Sequence, residues 1–362
     1  MKKNSSGNMA VKKDNLITYG IVVLFYIVMQ IMTVTGSVSS LLSGLLVPLC
    51  VYVIAAVSLN LVIGISGELS LGHAGFMCVG AYSSAFFSNL MGDTMPSPVR
   101  FILAILIGAL AAALFGIIIG IPVMRLNGDY LAIVTLAFGE IIKNLMNILY
   151  IGKDSHGLHF ATGDASALAM EEGGKVIVNG ALGITGTPKD SSFTIGVVLI
   201  LITLLIVLNL VHSRSGRAIM SVRDNRIAAE SVGINSTKYR LMAFTVSASL
   251  AGVAGVLYAH NLSTLTVKKF DYNTSIMILV YVVLGGIGNI RGSMIAAVIL
   301  TALPEMLRGL SDYRMLIYAI VLIIMMLFNW APAAVNVRER LKDRLKARFK
   351  ALCGRRKKGK EA

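Results

Sequence analysis

The sequence predicts an all-α fold: a polytopic bundle of about ten transmembrane helices, some of them broken, with both termini in the cytoplasm. Three observations carry this. The 362 residues are 56% hydrophobic and only 14% charged, whereas a soluble domain holds about a quarter charged residues. Apolar runs long enough to cross a bilayer recur along the chain, in place of the short alternating segments of a transmembrane barrel. The basic residues behind the net charge of +15 gather at the ends of those runs and in a C-terminal tail. That placement follows the positive-inside rule and speaks against a nucleic-acid-binding surface.

Residues 1–15 are polar and basic, and 16–34 form a first span that is too long for the apolar core of a signal peptide. Residues 41–64 are a second span, with Pro48 expected to kink it. Residues 64–82, GISGELSLGHAGFMCVGAY, combine dense glycine with Glu68, Ser70 and His73. This pattern predicts a helix break followed by a third span to about residue 90. Exposed backbone at membrane depth is tolerated where it is buried in protein or lines a polar cavity. Gly67, Glu68, Ser70, Gly72 and His73 are therefore candidate linings of a translocation pathway. The alternative is that Glu68 and His73 pair locally.

A fourth span covers 101–123, with Gly116 and Gly120 as a small-residue contact. Asn127 and Gly128 mark a turn. The fifth, 129–151, embeds Glu140 and Lys143. Their i,i+3 spacing allows mutual neutralisation, yet an ionisable group inside a span is also a functional candidate. Residues 152–191 read as the longest loop, glycine-rich and polar. Residues 192–212 span again, 241–262 form a seventh span with AGVAG as a close-packing site, and 275–290, 292–310 and 313–330 complete the set. GGIGNIRG (285–292) lacks dinucleotide-fingerprint spacing and reads as a tight turn.

Between the sixth and seventh spans lies 213–240, the longest polar stretch between strongly apolar neighbours. It carries Arg214, Arg217, Arg223, Arg226, Lys238 and Arg240 against Asp224 and Glu230. Residues 218–232 read as one short amphipathic helix, with Ile219, Val222, Arg226, Ala229 and Gly233 at helical spacing. Gly233 is placed to stop it. The segment is either an ordinary positive loop or a docking helix for a cytoplasmic partner. Residues 331–362 hold twelve basic and three acidic residues. Apolar positions there recur every three or four residues, so the tail is read as a basic amphipathic helix on an anionic membrane leaflet. With the N-terminus inside, 24 of the 33 Lys and Arg residues fall on the cytoplasmic side and eight outside. That puts 213–240 inside and 152–191 outside.

No HExxH, GxSxG or Walker A pattern is present, and Cys50, Cys78 and Cys353 have no metal-like spacing. His156 and His159 are close together but lack further ligands. No catalytic residue, metal or cofactor is expected. The chain reads as a permease driven by a separate motor or by an ion gradient.

Four stretches then carry a resemblance. They are LNLVIGISGELSLGHAGFMCVGAY (59–82), GDYLAIVTLAFGEII (128–142), SGRAIMSVRDNRIAAESVGINSTKYRLMAFTVSASLAGVAGVLYA (215–259) and LGGIGNIRGSMIAAVILTALPEMLR (284–308). In this order they resemble the membrane subunit of branched-chain amino-acid ABC transporters, over residues 45–330. The resemblance implies a bacterial inner-membrane permease that hydrolyses no ATP itself. Its implied partners are cytoplasmic ATP-binding subunits, a second homologous permease and an extracytoplasmic substrate-binding protein. It also implies that 213–240 is the ATPase-coupling loop, carrying the superfamily's E-A-A-x-x-x-G motif. Here the motif falls on Ile227, Ala228, Ala229 and Gly233, so the usual Glu is replaced by Ile227 and Glu230 follows the alanines. The implied contact set is Arg217, Arg223, Arg226, Ala228, Ala229, Glu230 and Gly233. Two other readings stay open: a related permease for urea or short amides, and an ion-coupled transporter using Glu68 or Glu140.

Overall fold

The computed structural model describes residues 4–36, 40–92, 95–125, 129–154, 156–164, 168, 174–307 and 314–330. The basic tail at 331–362 and the Asn127–Gly128 turn lie outside the described residues. Twelve α-helices appear in order: α1 (Asn4–Val34), α2 (Ser40–Asn60), α3 (His73–Leu90), α4 (Ser97–Val123), α5 (Asp129–Ile148), α6 (Phe193–His212), α7 (Arg214–Asp224), α8 (Arg226–Ser231), α9 (Ser236–Ala259), α10 (Tyr272–Gly285), α11 (Ile290–Met306) and α12 (Arg314–Trp330). Among the described residues, six helices are long and apolar enough to cross a membrane: 15–34, 42–66, 97–123, 130–148, 193–212 and 236–259. The remaining expected spans are helices too, but shorter. α10 has 14 residues, about 21 Å at 1.5 Å per residue, against a hydrocarbon core of about 30 Å. α1 begins at Asn4, earlier than the apolar run, because no proline interrupts the polar lead-in.

The bundle is built on α9, which packs against α2, α3 and α4. Small residues set the spacing. A Cβ on Gly255 would stand 2.0 Å from the Met77 carbonyl oxygen, and one on Gly80 would stand 2.4 Å from that of Gly252. The backbones of α3 and α9 therefore touch, as small-residue membrane contacts allow. Gly116 and Gly120 of α4 meet Ala248, Leu241 and Phe244 of α9 in the same way. Beyond Ala302 the chain forms a second unit. Its described part is the end of α11, which runs through Pro304, and α12.

The break expected in 64–82 is present. α2 passes through Pro48 and ends in one π-helical turn, Leu61–Ser66. Gly67 closes that turn at φ 77°, a left-handed conformation that favours glycine. Residues 67–72 are irregular, and α3 starts at His73, whose Nε2 lies 2.7 Å from Ser58 Oγ on α2. The chain thus descends past residue 58, turns, and climbs back to the same level before the helix resumes. The freed backbone groups find partners. Leu71 N–H donates to Thr135 Oγ1 of α5 (3.0 Å) and Ala74 N–H to Ser275 Oγ of α10 (3.0 Å). Glu68 N–H donates to the Val62 carbonyl (3.1 Å). This pairing is what makes irregular backbone tolerable in an apolar setting.

At the other end of the bundle this mostly helical fold also carries a few short strands. α5 stops at Ile148, short of the expected 151, and the chain enters a small antiparallel sheet. Its strands are β1 (Leu149–Asp154), β2 (Gly157–Thr162), β3 (Lys175–Asn179), β4 (Gly183–Thr185) and β5 (Thr264–Leu265), in the order β2-β1-β3-β4-β5. The loop reading of 152–191 followed its overall polarity and glycine content. The β-branched run Val176–Val178 bounded by glycines at 173–174 and 180 is a strand signal, diluted by those surroundings. β5 belongs to the α9–α10 connection and pairs with β4 (Ile184 with Leu265). The start of α6 and the end of α9 therefore lie at one end of the bundle. α7 and α8, which join these two helices, lie at the other end, about 30 Å away.

Near that sheet a buried ion pair fastens the connection before α6. Arg100 Nη2 of α4 lies 2.7 Å from Asp190 Oδ2, both side chains are nearly buried, and Ser97 Oγ donates to Asp190 Oδ1. Burial raises the Asp190 carboxyl pKa, but the bonds from Ser97 and Arg100 outweigh it and hold the group below the usual carboxylate range. A depressed folded-state pKa stabilises above the unfolded value, about 3.9, and that stabilisation is lost as pH falls through the folded value. Asp190→Asn is expected to lower the thermal unfolding temperature at pH 7 in detergent, with wild type and variant converging as pH falls through the folded-state value. A constant difference across that range would contradict the assignment.

Candidate functional site

The site is the polar segment 213–240 together with the broken α2–α3 junction on which it rests. Side-chain caps divide the segment. Ser213 Oγ accepts from Gly216 N–H (3.0 Å) and starts α7. Asn225 is extended, and its Oδ1 accepts from Ala228 N–H (3.0 Å), which ends one helix and starts the next. Asn235 Oδ1 accepts from Lys238 N–H (3.0 Å) and starts α9. The single helix expected over 218–232 is therefore two, α7 and α8. The cause is local: a short amide side chain competes for backbone donors and breaks the helix where it caps the next. Helical spacing of the apolar residues carries across the break, so periodicity alone could not reveal it.

α7 turns Gly216, Ile219 and Val222 into the bundle. α8 buries Ala229 and leaves Ala228 exposed. At its end Gly233 has φ 85°. Gly233 N–H donates to the Glu230 carbonyl (3.0 Å) and Ile234 N–H to the Ala229 carbonyl (3.1 Å). These two bonds are a Schellman termination, so the stop expected at Gly233 is present. Arg217, Arg223, Arg226 and Glu230 are all exposed. Glu230 Oε1 accepts from Ser236 Oγ (2.5 Å) and from Arg226 Nε (3.0 Å). Those bonds, Ser236 first, hold its carboxyl below the usual range.

Arg223 joins the segment to the break. Its Nη1 donates to the Gly64 carbonyl (2.9 Å) inside the π-helical turn, while Nε and Nη2 donate to Asp224 Oδ1 (3.0 and 2.8 Å). Its stem lies against Gly67, where an added Cβ would meet Arg223 Cγ at 2.5 Å. Glu68, one residue on, is ion-paired with Arg240 of α9. Arg240 is 4% exposed and also donates from Nη1 to the Met124 carbonyl at the end of α4 (3.1 Å). One short stretch of broken helix is thus held by α7 through Arg223 and by α9 through Arg240.

The six candidate pathway residues fall into two groups. Gly67 meets Arg223 of α7 and Glu68 meets Arg240 of α9, Ser70 is buried, and His73 is turned to Ser58 of α2. Gly72 meets the Thr135 backbone of α5, and Gly75 meets Gly139. Glu140, next to Gly139, pairs with Lys143 as its spacing suggested. Around it stand Leu71, Gly75, Phe270, Asp271 and Ser275. Asp271 caps α10 there, accepting from Thr274 N–H (3.0 Å).

Sequence reasoning missed Asn60. It is fully buried; its Oδ1 accepts from Gly288 N–H (2.9 Å) and its Nδ2 donates to Ser293 Oγ (2.6 Å). This ties the break to the glycine-rich turn at 286–289, which is tight as expected. An amide in an otherwise apolar span was the available signal. Arg240 was counted as a loop charge; its place inside α9 depends on the cap at Asn235. Among the described residues no cluster could hold a metal ion. His159 instead pairs with Asp154 (2.9 Å).

The family model described as "Branched-chain amino acid transport system / permease component" matches residues 41–328. That range takes in the break, the polar segment 213–240 and the glycine-rich turn. The permease protein LivM of the high-affinity branched-chain amino acid transport system of Salmonella typhimurium is 33% identical over 312 residues, covering 82% of this chain and 70% of that protein. LivM of Escherichia coli is 33% identical over 297 residues, covering 78% and 67%. LivH of Salmonella typhimurium, from the system of the same name, is 26% identical over 253 residues, covering 69% and 79%.

Proposed function

Because the chain belongs to the family of branched-chain amino acid transport permeases, we propose that it is the membrane-spanning subunit of an ATP-driven importer of leucine, isoleucine and valine in a bacterial inner membrane. The observation that carries this reading is the bond from Arg223 to the Gly64 carbonyl. It gives a cytoplasmic motor a grip on broken backbone inside the bundle. The chain supplies the path and the lever; hydrolysis belongs to separate ATP-binding subunits. A second permease, related as LivH is to LivM, completes the membrane unit, and a substrate-binding protein delivers the amino acid at the sheet.

Ten crossings fit this reading: the six long helices plus α3, α10, α11 and α12, with both termini and the α7–α8 segment in the cytoplasm. The distribution of basic residues and the β4–β5 pairing support that orientation. The tail at 331–362 then lies on the anionic inner leaflet.

The test is uptake of labelled leucine by proteoliposomes holding the complete complex and its binding protein. Uptake is expected to require ATP, to be competed by valine and isoleucine but not urea, and to survive ionophores. Uptake without ATP that collapses with the ion gradient would replace this reading with an ion-coupled transporter. Competition by urea alone would replace the substrate.

A further inference from the structure

Two polar bonds, about 12 Å of helix apart, fasten α1 to its neighbours. At one, Arg291 Nε of α11 donates to Thr18 Oγ1 (2.6 Å). At the other, the Tyr26 hydroxyl shares a hydrogen bond with Thr194 Oγ1 of α6 (3.2 Å), and the Tyr26 ring lies 5.5 Å from that of Phe193. Between these clasps is a cavity of about 200 Å³, walled by α1, α2, α6 and α11. Its floor is Val22, Cys50, Val53, Val197 and Met294, all buried. Its mouth is Ile21, Ile295 and Ile299, all exposed. Every side chain on its wall is apolar, counting the Cys50 thiol as the small hydrophobe that a buried cysteine is. Behind it α6 and α2 close up, since a Cβ on Gly196 would stand 2.8 Å from Cys50 Cβ. The space arises from the way α1 is laid on, and α1 precedes residue 41, where the family match begins.

We propose that this cavity holds one acyl chain of a bilayer phospholipid, which fills the joint between α1 and the bundle. Three of its four walls belong to 15–34, 42–66 and 193–212, helices long and apolar enough to cross a membrane. The mouth therefore opens on hydrocarbon. Water finds no bonding partner on such a lining: an apolar cavity of about 150 Å³ stays dry yet takes up benzene. Left empty, the cavity would forfeit dispersion contacts along its whole wall. Charge sets the direction of the lipid. Arg291 lies about one helical turn before Met294 and Ile295, so a phosphate at that end meets a guanidinium. The chain then runs from the Thr18 clasp toward Tyr26. This goes beyond the importer reading and does not depend on which solute is carried.

The test is the phospholipid kept by the full chain, purified from native membranes with whatever subunits accompany it, washed in mild detergent and counted by mass spectrometry. Val197→Phe fills the floor, and Ile295→Trp, at an exposed position, blocks the mouth without entering the core. Wild type is expected to keep one phospholipid per chain that both variants lose. Leu24→Trp, on the exposed side of α1, is expected to match wild type. Adding dioleoyl phosphatidylglycerol back to washed protein is expected to raise the wild-type unfolding temperature by several degrees, as a ligand of the folded state does, and to leave the filled variants unmoved. Equal phospholipid in wild type and Ile295→Trp would overturn the proposal. So would loss of an accompanying membrane subunit from the variants with lipid unchanged, which would make the occupant a side chain of that subunit.

Discussion

Arg223→Gln in the assembled complex is expected to lower ATP-driven leucine uptake at least tenfold while ATP hydrolysis persists. The guanidinium is the group of α7 that reaches into the π-helical turn, and it does so with a charge-assisted bond to the Gly64 carbonyl. Glutamine is too short to span the same gap, so the motor would move α7 without moving the break. Gly67→Ala attacks the same joint from the other side. Its φ of 77° costs a non-glycine residue about 1–2 kcal/mol, and the new Cβ would displace the Arg223 stem. Both variants are expected to give the same uncoupled behaviour, hydrolysis without uptake, measured side by side in proteoliposomes. If Arg223→Gln retains more than half of wild-type uptake, the joint is not the lever.

The second large effect is on stability. Arg240→Met is expected to destabilise the bundle by about 3 kcal/mol or more, because it strands the Glu68 carboxylate in a nearly closed site. It also removes the donor to the Met124 carbonyl. Removing both charges together, Glu68→Leu with Arg240→Met, is expected to recover most of that loss, since replacing a buried pair with apolar groups is often close to neutral. The readout is the thermal unfolding midpoint of the purified chain for the two single variants and the double. Equal, additive losses would mean that Glu68 and Arg240 act independently.

These residues also show how much of the molecule can be read from its sequence. Local signals were sufficient for the apolar helices, for the break after Gly64, for the stop at Gly233 and for the Glu140–Lys143 pair. In each case the cause and the structure lie within a few residues of one another. The pairing of β4 with β5 was not legible, because two hydrogen-bonded residues of an edge strand leave no periodic trace and their partners lie four helices apart. The destination of the Glu68 charge was hidden for the same reason: nothing near it in the chain names Arg240. The division of α7 from α8 was legible in principle. Ser213, Asn225 and Asn235 are all capping residue types, but apolar spacing pointed the other way and was followed.

The β4–β5 pairing has a consequence for biogenesis. β4 leaves the ribosome before α6, and β5 only after α9. The sheet therefore stays incomplete until α6 and α9 are inserted with opposite orientations, and a chain that inverts either one carries β5 away from β4. Closure of the sheet thus requires α6 and α9 to run in opposite directions. An unpaired β4 edge is the mark by which quality control could recognise a chain whose topology has failed.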